Sequence, residues 1–173
     1  NADIGIVIEN PPCNYNVDIR TKYACDNSYA TCIFNSDDGN NTLDISSLKG
    51  QLITGVYNKT QDTYLAYTPC QNVVKCENQS VMAYIYNLKS GQCNGYLAEW
   101  DSNVSPNYIN AAGLWQFVYK NGEKCTYNGT TSLVSFEVDW VCNQGAVKPE
   151  VMESKKVNEC YYKMVINSVL ACG

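Results

Sequence analysis

Ten cysteines, at 13, 25, 32, 70, 76, 93, 125, 142, 160 and 172, are spread along the whole of a 173-residue chain. No two stand as Cys-x-x-Cys, so a zinc ribbon or a dithiol redox motif is poorly supported. An even number of scattered cysteines instead indicates a disulfide framework, which persists only in an oxidising compartment. Each of five bridges would contribute roughly 2–4 kcal/mol, mainly by restricting the unfolded chain. Five Asn-x-Ser/Thr sequons fit the same compartment: Asn40, Asn58, Asn78, Asn103 and Asn128. Asn103 is the weakest, because Pro106 follows its Val-Ser. The expected location is secreted or extracellular, or the lumen of the secretory-endolysosomal pathway. The opening Asn1-Ala-Asp-Ile is not a signal peptide, so a mature or processed chain is expected.

Composition removes most other classes. Hydrophobic residues make up 45% and charged ones 17%, which is too apolar for a disordered segment. The net charge is −5 with no basic block, so no nucleic-acid partner is expected. No apolar run approaches the length of a membrane span. The chain has no His, which excludes Ser-His-Asp and Cys-His catalysis and most zinc sites. It also lacks a nucleophile–base pair, a phosphate loop and a cofactor fingerprint, so neither an enzyme nor a bound cofactor or metal is expected.

Hydrophobicity alternates with period two. In Leu133-Val-Ser-Phe-Glu-Val-Asp-Trp-Val-Cys142, Val134, Phe136, Val138 and Trp140 share one face, and Ser135, Glu137 and Asp139 the other. That pattern predicts a half-buried strand with a solvated acidic face. Leu114–Lys120 predicts another, with Asn121-Gly122 as a hairpin signal after it. Ser80–Tyr86, Gln51–Tyr57 (weakened by Gly55) and Glu159–Ile166 are also strand-like. No stretch keeps a helical period. The fold class expected is therefore all-β, a sandwich or flattened barrel.

Two segments repeat. Cys13-Asn-Tyr-Asn-Val-Asp-Ile-Arg-Thr-Lys-Tyr-Ala-Cys25 and Cys160-Tyr-Tyr-Lys-Met-Val-Ile-Asn-Ser-Val-Leu-Ala-Cys172 both fit Cys-x-Tyr-x-x-x-Ile-x-(Ser/Thr)-x-x-Ala-Cys. The repeat implies that residues 1–25 are the closing strand of one module. Residues 26–173 would be a full module with its own closing strand.

The closing Cys-x-Tyr…Ala-Cys pattern, with Tyr119-Lys-Asn-Gly-Glu-Lys-Cys125, resembles the mannose 6-phosphate receptor homology (MRH) domain. Cys32-Ile-Phe-Asn-Ser-Asp-Asp-Gly39 and Leu43-Asp-Ile-Ser-Ser-Leu48 resemble the opening of one repeat of the large cation-independent receptor. The resemblance implies a flattened barrel of two crossed antiparallel sheets. It also implies bridges Cys32–Cys70, Cys76–Cys93, Cys125–Cys160 and Cys142–Cys172. Cys13 and Cys25 remain, either bridging each other or completed by another polypeptide.

Sugar-binding members place a Gln, an Arg, a Glu and a Tyr around a mannose ring. Carried over, the Tyr is Tyr162 and the Gln position holds Asn94. The Glu falls on Glu153, with Glu159 closer to Cys160. The Arg belongs in Thr126–Ser135, which has none; the single Arg of the chain is Arg20. Arg offers a permanent charge in a planar fork, and losing one charge-assisted hydrogen bond costs on the order of 1.5–3 kcal/mol. Mannose 6-phosphate should therefore bind poorly. In the N-terminal copy, Glu9 precedes Tyr15 at the family's spacing, but the rest of that module is absent.

Three further groups suit plain structural roles. Glu137 and Asp139 form a glycosidase-like pair only if they are not a solvated strand face. Asp37–Asp44 is oxygen-rich, but its Asp, Gly and Asn suit a turn better than a calcium loop. Trp115 and Trp140 fit core packing better than sugar stacking; Trp100 is open.

Two functions are expected from this sequence. The first is a non-enzymatic binding module, one receptor-like ectodomain repeat holding a protein or glycan. The alternative is a structural subunit that joins copies of itself head to tail by adding residues 1–25 to a neighbour's sheet.

Overall fold

The protein is described by a computed structural model over residues 3–10, 14–20, 32–76 and 79–173. Cys13, Cys25 and the Asn78 sequon lie outside the described residues. The chain divides into two compact units, Asn1–Ala30 and Thr31–Gly173.

In the first unit, β1 (Asp3–Asn10) and β2 (Asn14–Arg20) pair antiparallel. The second unit is all-β and disulfide-rich. One sheet contains β5 (Ile53–Asn58), β6 (Thr63–Tyr67), β9 (Ala83–Asn87) and β10 (Gln92–Ala98), in the order β10-β9-β6-β5. The other contains β11 (Asn107–Ile109), β12 (Leu114–Tyr119), β15 (Ser135–Cys142), β16 (Glu150–Asn158) and β17 (Tyr161–Ser168), in the order β11-β12-β15-β17-β16. Three short pairs complete it: β3 (Ile33–Asn35) with β4 (Thr42–Asp44), β7 (Val74–Cys76) with β8 (Gln79–Val81), and β13 (Lys124–Tyr127) with β14 (Thr130–Leu133).

The expected sandwich class stands, with one refinement. β15 and β17 run parallel, from Ser135↔Tyr161 to Cys142↔Ser168. A parallel pair needs a crossover, and residues 143–149 with β16 supply it. β16 then turns back to pair antiparallel with β17.

The core lies between the sheets. β12 turns Trp115, Phe117 and Tyr119 inward, and β17 turns Tyr162, Met164, Ile166 and Ser168 inward, as period-two alternation demands. Opposite them lie Leu65, Tyr67, Met82 and Leu97, all fully buried. Tyr67 meets Phe136 and Trp140 at ring separations of 6.0 and 6.5 Å. Gly55 has a packing role, because a Cβ there would come within 2.6 Å of the Val151 Cγ1 on β16.

Several sequence expectations change here. Ser80–Tyr86 is two strands, because Met82 leaves the ladder to bond elsewhere. Its N–H donates to the Ala98 carbonyl at 3.0 Å, and its own carbonyl accepts the Thr68 N–H at 2.8 Å. Asn121-Gly122 does not close a two-residue hairpin, since β12 pairs with β11 and β15. Asn121 instead clasps both backbone groups of Glu99. The tight hairpin turn lies at Asn128-Gly129, where φ is +50° and +76°, the signs a type I′ turn requires.

Aligned on Cys13 and Cys160, the two terminal hairpins share their register. Ile4↔Ile19, Val7↔Val17 and Glu9↔Tyr15 fall on Val151↔Ile166, Ser154↔Met164 and Lys156↔Tyr162. One bulge coincides, between Ile4 and Val7 in one hairpin and between Val151 and Glu153 in the other; a second shift, between Lys156 and Asn158, has no counterpart in the first hairpin.

Burial also sets an alkaline limit. Desolvation pushes the Tyr67 and Tyr119 hydroxyls well above the ordinary tyrosine range of about 10. Raised folded values mean that the unfolded chain releases these protons first. Their contribution to stability is complete below about pH 10 and is lost as pH rises through the folded values. The melting temperature should stay flat from about pH 7 to 9 and fall beyond about 10. Tyrosinate absorbance should show part of the 14 tyrosines ionising only with unfolding. A flat profile through pH 11, about one unit past the free tyrosine value, would contradict this account.

Candidate functional site

The inner end of β17 carries the residue that the family resemblance singles out. Tyr162 is buried, its ring 6.0 Å from that of Tyr57, and the Lys156 ammonium stands 5.9 Å from the Tyr162 centroid. Lys156 is the cross-strand partner of Tyr162 and forms an ion pair with Glu159 in the adjoining turn. That hydrogen bond to Glu159 raises the Lys156 ammonium above its ordinary value. Burial pushes the Tyr162 hydroxyl up, and Lys156 partly opposes the shift.

The other carried-over residues lie on different strands. Asn94 is exposed on β10. Glu153 pairs with Lys155 at 2.9 Å and lies opposite Val165, not Tyr162. Within residues 126–133 every side chain is exposed on or around the β13–β14 hairpin. A cation therefore stands opposite Tyr162, where the carried-over Glu153 does not.

Four disulfides frame this end and the rest of the unit. Cys125–Cys160 ties the β13–β14 hairpin to the β16–β17 turn, with Cα atoms 5.8 Å apart. Cys142–Cys172 ties the end of β15 to the C-terminal turn at 4.5 Å. Cys32–Cys70 and Cys76–Cys93 hold the first half. Of the sequon asparagines, Asn40, Asn103 and Asn128 are exposed or partly so, as is Asn58. Asn128 lines a groove of about 850 Å³ bordered by Tyr127, Leu133, Val118, Lys120 and Tyr161.

The solvated-face reading of Glu137 and Asp139 is overturned: both are buried, at 6% and 5% exposure. Long neighbours on the flanking strands cover this outer face. The Lys163 Nζ donates to Glu137 Oε1 and to Asp139 Oδ2, each at 2.6 Å. The Gln116 Nε2 donates to both, at 3.0 and 3.3 Å, and the Tyr161 hydroxyl donates to Glu137. Burial alone would lower the Lys163 ammonium, but its bonds to Asp139 and Glu137 more than offset that and raise it. Alternation placed these carboxylates on the outer face correctly. Only the three-strand register could show that Gln116, Lys163 and Tyr161 meet over them.

The remaining candidates are structural. The Asp38 carboxylate accepts from the Ser36 hydroxyl at 2.5 Å and from the Asn40 N–H at 3.0 Å, which lowers its pKa. Asp44 caps Ser46 in the same manner. Trp115 and Trp140 are fully buried, and Trp100 packs against the core beside Tyr119.

Fold and frame together define a disulfide-rich, all-β module, and solved structures share that fold. Domain 11 of the echidna mannose 6-phosphate/IGF2R receptor superposes with a TM-score of 0.59 and 20% identity, over 83% of this chain and 96% of that one. Chicken IGF2R domain 11 gives 0.59 and 17%, over 82% and 90%. The MRH domain of Yos9 complexed with alpha3,alpha6-Man5 gives 0.48 and 13%, over 70% and 76%. No family model and no curated protein sequence matches the chain. No helix among the described residues is long and apolar enough to cross a membrane.

Proposed function

We propose that this chain carries one non-enzymatic repeat of a tandem ectodomain, secreted or luminal. It serves to hold a protein or glycan partner and does not capture phosphorylated mannose. The observation that carries the reading is the shared register of the β1–β2 and β16–β17 hairpins. Two segments that match in cysteine spacing, in pairing from Ile4↔Ile19 to Glu9↔Tyr15 and in one bulge are best explained as the same closing element of successive modules. On this reading residues 1–25 end one module and 26–173 form the next.

The register also bears on the ligand. The position opposite the tyrosine is Glu9 in the first hairpin and Lys156 in the second. Reversing the charge there, with no Arg in Thr126–Ser135, removes an acceptor and a charged donor from the place where a mannose ring would sit. Calorimetric titration with mannose and mannose 6-phosphate should show no saturable binding tighter than about 1 mM. An antibody raised against this module should detect a native polypeptide longer than the chain, containing a preceding copy of the 26–150 pattern. Submillimolar mannose 6-phosphate binding would refute the ligand reading, and absence of a preceding copy would refute the tandem one.

A further inference from the structure

The equivalence of the two hairpins raises a pairing problem: β15 must take β17 and not a strand like β2. At the core-facing positions of β17 the two sequences are nearly the same. Tyr162, Met164 and Ile166 of β17 correspond to Tyr15, Val17 and Ile19 of β2. Apolar packing therefore discriminates little between them.

The outer face differs. Along β17 the positions opposite Glu137 and Asp139 are Lys163 and Val165. In β2 the same positions are Asn16 and Asp18. A β2-like strand laid on β15 would replace the ammonium that bonds both buried carboxylates by an amide, and would set a third carboxylate opposite Asp139. Arg20, at the Asn167 position opposite Val141, would bring one cation to the end of this row. The row, buried at Glu137 and Asp139, would then change from one net negative charge to two. Like charges facing each other across a buried sheet are strongly unfavourable, and such repulsion is how similar strands are kept apart.

We propose that Lys163, Glu137 and Asp139 form a pairing code, by which β15 accepts its own closing strand and rejects the strand of residues 14–20. The strand of residues 14–20 then fits a different partner, a parallel strand with a basic or neutral side chain opposite Asp18. The β15 of a second copy does not provide one, since Asp139 stands at that position, which counts against head-to-tail assembly in which residues 14–20 take the place of β17. The partner assignment rests on the tandem reading above; the code itself is a property of this chain alone.

The test is a graft within the full chain, in which residues 161–167 are replaced by the residues of 14–20. A second graft keeps the native Lys and Val at 163 and 165, and a third carries E137Q and D139N beside the plain graft. The plain graft should melt at least about 10 °C below both others, or show no cooperative melt. Equal melting of plain and repaired grafts, or failure of both repairs to raise the transition, overturns the code. The chain itself should be monomeric by light scattering at all concentrations. Oligomers that vanish on deletion of residues 1–25 would overturn the rejection of a second copy. These outcomes are independent of whether a longer native polypeptide is found, so the code and the tandem reading can fail separately.

Discussion

Replacing Lys163 by Met should lower the unfolding free energy by about 2–4 kcal/mol in urea denaturation. Met nearly matches the aliphatic stem of Lys, so the lost volume is small and the effect isolates the charge. What remains is Glu137 and Asp139, with side chains 8% and 7% exposed; among the described residues Gln116 donates to both and Tyr161 to Glu137. Removing one partner of a buried ion pair costs far more than the pair contributes, because the surviving charge cannot recover its water. The Lys163 side chain keeps 23% of its surface exposed, which places the expected loss toward the lower part of that range. Adding E137Q and D139N to Lys163→Met should recover most of the stability. If Lys163→Met is neutral, or if neutralising both carboxylates gives no recovery, the cluster is not the buried unit described here.

That cluster also shows where sequence reading stops. Alternation in Leu133–Cys142 placed Phe136, Val138 and Trp140 on the core face, and the structure buries all three. The same alternation labelled Glu137 and Asp139 as solvated, because a one-strand pattern assumes that the second face meets water. Here β12 and β17 flank β15 on both sides, and their long side chains close over it. The signal was present in part, since Lys163 lies in a strand-like segment, but parallel registration with β15 is a long-range fact. The Asn121-Gly122 misreading has a similar origin. The dipeptide suits a tight turn, yet Gly122 is needed where a Cβ would press on Val134 at 2.8 Å and on the Leu97 backbone. The duplicated Cys-x-Tyr…Ala-Cys segment was legible because its constraints are local: fixed cysteine spacing and alternation. The likeness of the paired strands, bulge included, became visible only with the register. The cation facing Tyr162 was not legible, because the pairing of Lys156 with Tyr162 depends on the β16–β17 register and its bulge.

Removing the Cys142–Cys172 bridge by double alanine substitution should cost about 3–4 kcal/mol and lower the melting temperature by roughly 10 °C. The bridge closes a loop of 30 residues, for which chain entropy in the unfolded state gives a loss in this range. Cys76–Cys93 spans 17 residues, and the same estimate is smaller by only about 0.5 kcal/mol. The local consequences separate the two bridges more clearly. Cys172 ends the turn Val169–Cys172, whose Ala171 is buried and whose start is capped by the Ser168 hydroxyl. From there the Gly173 carbonyl accepts the Thr42 N–H at 3.1 Å, and the Ser168 carbonyl accepts that of Asn143 at 3.2 Å. Without the bridge, the last turn is held by these bonds, by the Val169 N–H donating to the Ala146 carbonyl at 3.0 Å, and by the packing of Leu170 and Ala171, so it should open before the sheets do. Hydrogen exchange should then rise first at Thr42, Asn143 and residues 169–173, while β12 and β15 stay protected near the global limit. Loss of the Cys76–Cys93 bridge should leave those amides slow. Uniform exchange across both sheets in the Cys142→Ala, Cys172→Ala protein would show that the bridge secures the whole fold at once, and the picture of a separately latched C-terminal turn would have to be abandoned.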